Sequence, residues 1–235
     1  MTEEIFRADA YAKGCEAAVT AVGPDGIQLD RTVFYPMGGG QPGDTGVLKL
    51  GDGRTVRIAD TRKGTGPGQI VHVPEPGAPT PAVGDKVTAE LDWDRRYRHM
   101  RVHTCLHLLS SVVTGGVTGG QIGDGKGRLD FDLPDTALDK DKLQSELNRL
   151  VQENHKVGQR WISDEELEAQ PELVRTMSVK PPSGQGKVRL LVIPGVDLQP
   201  CGGTHVASTG EIGPVRLGKI EKKGARNRRV YVELG

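Results

Sequence analysis

Two short motifs bring together residue types able to hold a metal ion. The first is His103-Thr104-Cys105-Leu106-His107. On a helix, residues four apart project from one face a single turn apart, so both imidazoles can reach one ion. The second is Cys201-Gly202-Gly203-Thr204-His205, whose two glycines allow a tight loop to present a thiolate and an imidazole to one point. Three nitrogens and one sulfur suit zinc better than magnesium or calcium. The zinc-protease pattern His-Glu-x-x-His is not met, because Thr104 stands where the Glu would be and cannot act as a general base. Singly, either motif is more often incidental than functional; it is their joint occurrence that points to a metal site.

Other residues read more blandly. His99 lies one turn before His103 and is either a partner behind the ligands or a polar residue on a basic face. Cys105 points away from the histidine face and is expected to be a buried apolar cysteine. Cys15, His72 and His155 have no evident partner and read as structural. Gly123-Asp124-Gly125-Lys126-Gly127 lacks the spacing of a phosphate-binding loop. Three widely separated cysteines make no disulfide framework, which fits a reducing compartment. The start of the chain is acidic and has no secretory character, and no apolar run is long enough to span a membrane. The expected location is the cytoplasm. With 31 basic and 31 acidic residues the chain carries no net charge, so nucleic acid could be held only by a local patch. One candidate is the cluster Lys219, Lys222, Lys223, Arg226, Arg228 and Arg229 around Gly224. By composition it is equally a solvated hairpin and a phosphate-binding one.

The elements that must position these groups fall into two parts. Abundant glycine (33) and proline (15), with few aromatics, indicate a turn-rich, strand-rich chain. Residues 16–22, 27–34, 47–50, 55–59, 69–73 and 86–91 read as short strands separated by turns such as Gly23-Pro24-Asp25-Gly26, predicting a small antiparallel barrel over 1–92. From Asp92 a helix carries the first motif and ends at Gly115-Gly116. Beyond it, 128–133 reads as a strand, and apolar residues from Leu138 to Val157 recur at the helical period. Ser163 and Glu166 form a capping box for another helix, and 188–193, 213–220 and 229–234 read as strands. Residues 93–235 are therefore expected to form an α+β domain with helices against an antiparallel sheet.

The order of these motifs is recognisable. His103-Thr-Cys-Leu-His107, Gly119-Gly-Gln-Ile-Gly123, Leu129-Asp-Phe-Asp132 and Gln199-Pro-Cys-Gly-Gly-Thr-His205 resemble the editing domain of alanyl-tRNA synthetase. Thr209–Gly213 and Ala225–Tyr231 extend the match, and Phe34-Tyr-Pro-Met-Gly-Gly-Gly-Gln-Pro42 resembles the Gly-rich motif of the barrel preceding that domain. With no length left for an aminoacylation domain, the chain is similar to the free-standing editing proteins of the AlaX type, in the longer form with an N-terminal barrel. The resemblance implies hydrolysis of Ser-tRNA(Ala), and in some members Gly-tRNA(Ala). It implies His103, His107, Cys201 and His205 as zinc ligands at the catalytic centre. It further implies that Gln121 and the loop Gly38, Gly39, Gly40 and Gln41 shape the amino-acid pocket, and that the hairpin residues Lys222, Lys223, Arg226, Arg228 and Arg229 face tRNA.

An aminoacyl ester is already activated, so the task is to position a water and stabilise the oxyanion. The metal could activate that water, or it could grip the amino group or hydroxyl of the substrate; the sequence leaves both open. Asp130, Asp132 and Glu211 are candidate bases, and Thr104, Gln121 and the metal are candidate contacts to the serine hydroxyl. Two other classes remain: a tRNA-binding module with a structural zinc, and a zinc hydrolase of small esters or amides. No protein partner is implied.

Overall fold

A computed structural model describes residues 1–134, 137–177 and 186–235. They form two compact units, Met1–Tyr97 and Arg98–Gly235, with the division inside a single helix. No helix among the described residues is long and apolar enough to cross a membrane.

The first unit opens with β1 (Glu3–Glu4) and one turn of helix, α1 (Ile5–Ala8), followed by β2 (Gly14–Gly23), β3 (Gly26–Leu29), β4 (Arg31–Thr32), β5 (Gly46–Leu50), β6 (Thr55–Lys63), β7 (Ile70–Pro74) and β8 (Lys86–Leu91). Six of these close an antiparallel barrel in the order β2-β3-β7-β6-β5-β8, and β1 pairs with β4 outside it. The barrel follows from period-two patterning: Ala17 and Val19, Ile27 and Leu29, Leu48 and Leu50, Val56 and Ile58, and Val87, Ala89 and Leu91 all bury themselves in one core. The expected strand over 27–34 is divided. At Asp30 the carboxylate accepts a hydrogen bond from Ala18 N and the backbone leaves the barrel ladder.

A buried ion pair anchors the unit's last segment. Arg96, fully buried, donates to both carboxylate oxygens of Asp44 and to the carbonyls of Ala10 and Val33. Asp44 in turn accepts from Tyr35 N and Arg96, so its charge is compensated. The flanking loop is a tight turn: Gly38 and Gln41 exchange backbone hydrogen bonds, and Gly39 and Gly40 both take positive φ (57° and 82°). Two consecutive left-handed residues are what a two-residue hairpin turn of this hand requires, and glycine adopts them without strain.

The second unit contains most of α2 (Trp93–Val112), then β9 (Gly116–Ile122), β10 (Lys126–Asp132), α3 (Lys140–Gln152), β11 (Gly158–Ser163), α4 (Asp164–Glu168), β12 (Lys187–Ile193), β13 (Asp197–Pro200), β14 (Val215–Lys223) and β15 (Asn227–Leu234). These strands make two antiparallel sheets, β14-β15-β10-β9 and β11-β12-β13. The architecture is α+β, as expected. Asp92 caps α2 by accepting from Arg95 N. Met100, Val102, Cys105, Leu106, Leu108 and Leu109 bury the helix on several sides, so its polar His99, His103, Thr104 and His107 are interior as well. The third helix is shorter than its periodicity suggested. It starts after Asp139, which caps Lys142 N, and stops before Asn154, whose φ of 51° is incompatible with continuation; Leu138 and Val157 lie outside it. The capping box at Ser163 and Glu166 is present as expected.

Two stability predictions follow from the barrel. Asp44→Ala would leave Arg96 charged and unpaired in the interior, so a loss of about 3–5 kcal/mol is expected in urea unfolding; an unchanged midpoint would mean that the pair is not an anchor. His72 is fully buried between Thr32 Oγ1 and the Ile27 carbonyl. Burial holds its imidazole down to about 4, against the opposing pull of that carbonyl. Above about pH 6.5 both folded and unfolded states keep it neutral. As pH falls from there toward 4 only the unfolded state takes up the proton, so stability drops, by up to about 3 kcal/mol. His72→Gln should flatten the stability profile across that window, and equal slopes in the two proteins would refute the assignment.

Candidate metal centre

His103 and His107 stand one turn apart on α2, their ring centroids 5.3 Å from each other. Beyond β13 the chain turns through Gly202 and Gly203 and returns His205 against them, 4.2 Å from the His103 ring and 5.0 Å from the His107 ring. Cys201 Sγ lies 3.5 Å from His103 Nε2 and 3.2 Å from His205 Nε2. One ligand atom from each of the four residues falls within 4.8 Å of every other. Edges of a zinc tetrahedron with one thiolate and imidazoles span roughly 3.3–3.6 Å, so the Cys201 contacts already have that scale. Donor chemistry and spacing both fit zinc.

The surrounding groups orient the donors. Asp197, whose side chain is fully buried, accepts a 2.8 Å hydrogen bond from His107 Nδ1. The contact commits Nδ1 to the carboxylate and leaves Nε2 as the donor toward the cluster. Gln199 Nε2 donates to the same carboxylate oxygen at 2.8 Å and to Ser110 Oγ at 3.0 Å, and Ser110 donates to the His107 carbonyl. His205 is held by Thr104, whose Oγ1 lies 3.2 Å from Nδ1 and accepts from Val206 N. Arg189 donates to the Cys201 and Gly203 carbonyls, bracing the glycine turn.

Electrostatics prepare the cluster for a cation. Burial would push the Cys201 thiol up, but the three imidazoles outweigh it and hold it well below its ordinary value, as a thiolate. Burial and the charge of His103 hold His205 well below the ordinary imidazole range. For His107 burial acts downward too, yet the Cys201 thiolate and Asp197 raise it to about 10. A metal cation bound here would compete with that proton.

The structure brings together all four residues of the two motifs. Thr104, expected at the substrate, is fully buried behind His205. Gln121 sits exposed on β9 opposite Arg128 and accepts from its Nε at 3.3 Å. Gly38, Gly39, Gly40 and Gln41 belong to the first unit. None of the three candidate bases is a bare carboxylate. Asp130 is clasped by Arg229 and Arg128, Asp132 by Arg226, and Glu211 accepts from Ala207 N and Ser208 N as a capping group. Among the hairpin cations, Lys223 pairs with Glu221, Arg226 with Asp132 and Arg229 with Asp130. Arg228 is buried against the Ala225 and Asn227 carbonyls, and Lys222 is exposed. Cys105 is buried, and burial pushes its thiol up to about 12. His99 is buried as well. Sequence reasoning overlooked Asp197, and gave Gln199 no role beyond opening a motif. The available signal was the period of two on a strand, which places 197, 199 and 201 on one face.

A buried His₃Cys cluster set between a helix and an antiparallel sheet, in a chain that also carries a closed barrel, defines a class of metal-competent α+β protein. Comparisons narrow it. Residues 188–231 match the family model described as the threonyl and alanyl tRNA synthetase second additional domain, and residues 4–95 match the class II (A) tRNA synthetases. The alanyl-tRNA editing protein AlaX-M of Methanosarcina mazei is 39% identical over all of this chain and 97% of its own length. AlaX-M of Saccharolobus solfataricus is 35% identical over 98% of each. The alanine–tRNA ligase of Sulfurisphaera tokodaii is 34% identical over 94% of this chain, which spans a quarter of that enzyme. The chain belongs to the family of alanyl-tRNA editing proteins of the AlaX-M type.

If Asp197 fixes the donor atom of His107, Asp197→Ala should weaken zinc binding by about 10–100-fold while the protein stays folded. Competition with a chromophoric chelator, alongside far-UV circular dichroism, reads both. Wild-type affinity in the variant would remove Asp197 from the metal centre.

Proposed function

We propose that this chain is a zinc-dependent trans-editing hydrolase that deacylates mischarged Ser-tRNA(Ala), with Gly-tRNA(Ala) as its second substrate, and spares Ala-tRNA(Ala). The observation that carries the reading is the buried His103–His107–Cys201–His205 cluster with its tautomer-fixing Asp197, in a chain similar along its length to alanyl-tRNA editing proteins. In this reading the four residues hold zinc, which when bound supplies a Lewis acid to polarise an oxygen or hold the amino group of the substrate.

The protein's own contribution is positional. Asp197 and Thr104 hold two imidazoles from behind, Arg189 holds the Cys201 turn, and burial of the cluster strengthens any dipole aimed at a developing oxyanion. Asp130, Asp132 and Glu211 are engaged elsewhere, which fits a reaction whose activated ester makes little demand for a strong protein base. Discrimination for serine over alanine would rest on a polar group left unpaired when the hydroxyl is missing. Thr104 enters this scheme through His205, and Gln121 is the exposed candidate for direct contact. The Lys222, Lys223 and Arg226 tip of the β14–β15 hairpin is the proposed phosphate contact.

One observation favours a second reading: four ligand-competent residues can complete a tetrahedron, as in closed structural zinc sites, and the chain would then be a tRNA-binding module. Deacylation of Ser-, Gly- and Ala-tRNA(Ala) separates the two. Rapid loss of serine is expected, abolished by a zinc chelator and by Cys201→Ala, with alanine retained. Zinc-loaded protein that binds tRNA(Ala) but releases no amino acid from any of the three would establish the binding module instead.

A further inference from the structure

One exposed aromatic side chain shares a sheet face with the cluster. Trp161, on the edge strand β11, is 47% exposed. In register it lies opposite Arg189 on β12. Arg189 in turn stands opposite Cys201, continuing the β12–β13 pairing through the hydrogen bond from Cys201 N to the Arg189 carbonyl. Directly opposed residues of antiparallel strands project from the same face. Trp161, Arg189 and Cys201 therefore form one row across the sheet, on the face that also carries Asp197 and Gln199 toward α2. Two inter-strand spacings separate the ends of that row, roughly 10 Å. The span between an ester on a terminal ribose and the far edge of its own base is of the same order.

We propose that Trp161 is the stacking platform for the terminal nucleobase of the RNA strand whose ester reaches the cluster. This rests on the editing reading and names the group that places the substrate. The indole offers a large, stiff π-face at low entropic cost, and any base can stack on it. The indole is uncharged and offers a ring face with a single N–H, which suits a base better than a phosphate. The charges around it are of both signs, Arg160 and Lys187 against Asp164, Glu165, Glu166 and Glu168 of α4. Arg189 is committed to Gln159, Cys201 and Gly203, fixing the floor between the platform and the cluster.

The chain has two tryptophans, so Trp93→Phe leaves Trp161 as the sole indole fluorophore. Zinc-loaded protein of that background is titrated with an RNA acceptor-stem minihelix ending in CCA and with the same RNA lacking the terminal adenosine. Quenching by the first and not the second is expected. With Ser-tRNA(Ala), Trp161→Ala should raise KM by about ten-fold with kcat and zinc content retained, and Trp161→Phe should recover most of the loss. Equal quenching by both RNAs, or an unaltered KM in Trp161→Ala, would overturn the proposal while leaving the editing reading intact. Wild-type protein that deacylates nothing would instead defeat the editing reading, and the quenching comparison would still decide whether the indole meets the terminal base.

Discussion

The hydrogen bond from His107 to Asp197 is the constraint on which the His103–His107–Cys201–His205 cluster depends. It joins a helix to a strand ninety positions further along the chain, and it is made wholly in the interior. Three imidazoles and a thiolate brought within 4.8 Å of one another would otherwise have no defined orientation, because each ring can offer either nitrogen. Asp197 decides the matter for His107, and Thr104 decides it for His205. The same carboxylate gathers Gln199 and, through it, Ser110 of α2. One buried charge thus fixes the register between the helix and the β11-β12-β13 sheet, which is why the cluster is assembled by long-range contacts and not by either motif alone.

Much of this was legible in the residues. Period-two burial in β2, β5, β6 and β8 announces a barrel, since alternate residues must face one core. The four-residue spacing of His103 and His107 needs only a helix to become a pair of ligands. Asp197 was not legible in that way. An aspartate in a strand is ordinarily a surface residue, and its partner lies where only the folded chain brings it. The strands β9 and β11 were hidden for a related reason: five glycines in or flanking one and polar, exposed residues in the other erase the alternation that pairing alone sustains. Helix α3 shows the opposite failure, its apolar period outrunning the backbone because Asn154 turns the chain before the pattern ends.

Charge was the least legible property. A sequence shows how many cations cluster but not which carboxylates meet them. In the structure Asp130 and Asp132 of β10 project beside the hairpin strand β15 and engage Arg229 and Arg226. Residues read separately as candidate bases and candidate phosphate contacts thus turn out to be each other's partners. Both expectations are altered by one fact, the β10–β15 register, which no count of local charge contains.

Under the proposed editing function, those pairs set a hierarchy among the basic residues. Exposed ion pairs contribute at most about 1 kcal/mol, so a phosphate can replace the carboxylate with little loss. Arg226 is 68% exposed and meets that condition, as does Lys223, and Lys222 beside them is exposed. Arg229 is more enclosed, and its pairing with Asp130 is shared with Arg128; Arg228 is buried against backbone carbonyls. Releasing either would uncover a charge already satisfied inside the sheet, where desolvation makes an orphaned group expensive. On that reading phosphate contact at this surface would belong to the tip of the hairpin, and its strength would fall with salt as the cations exchange partners. Arg228 and Arg229 act one step earlier, holding the strand that presents the tip.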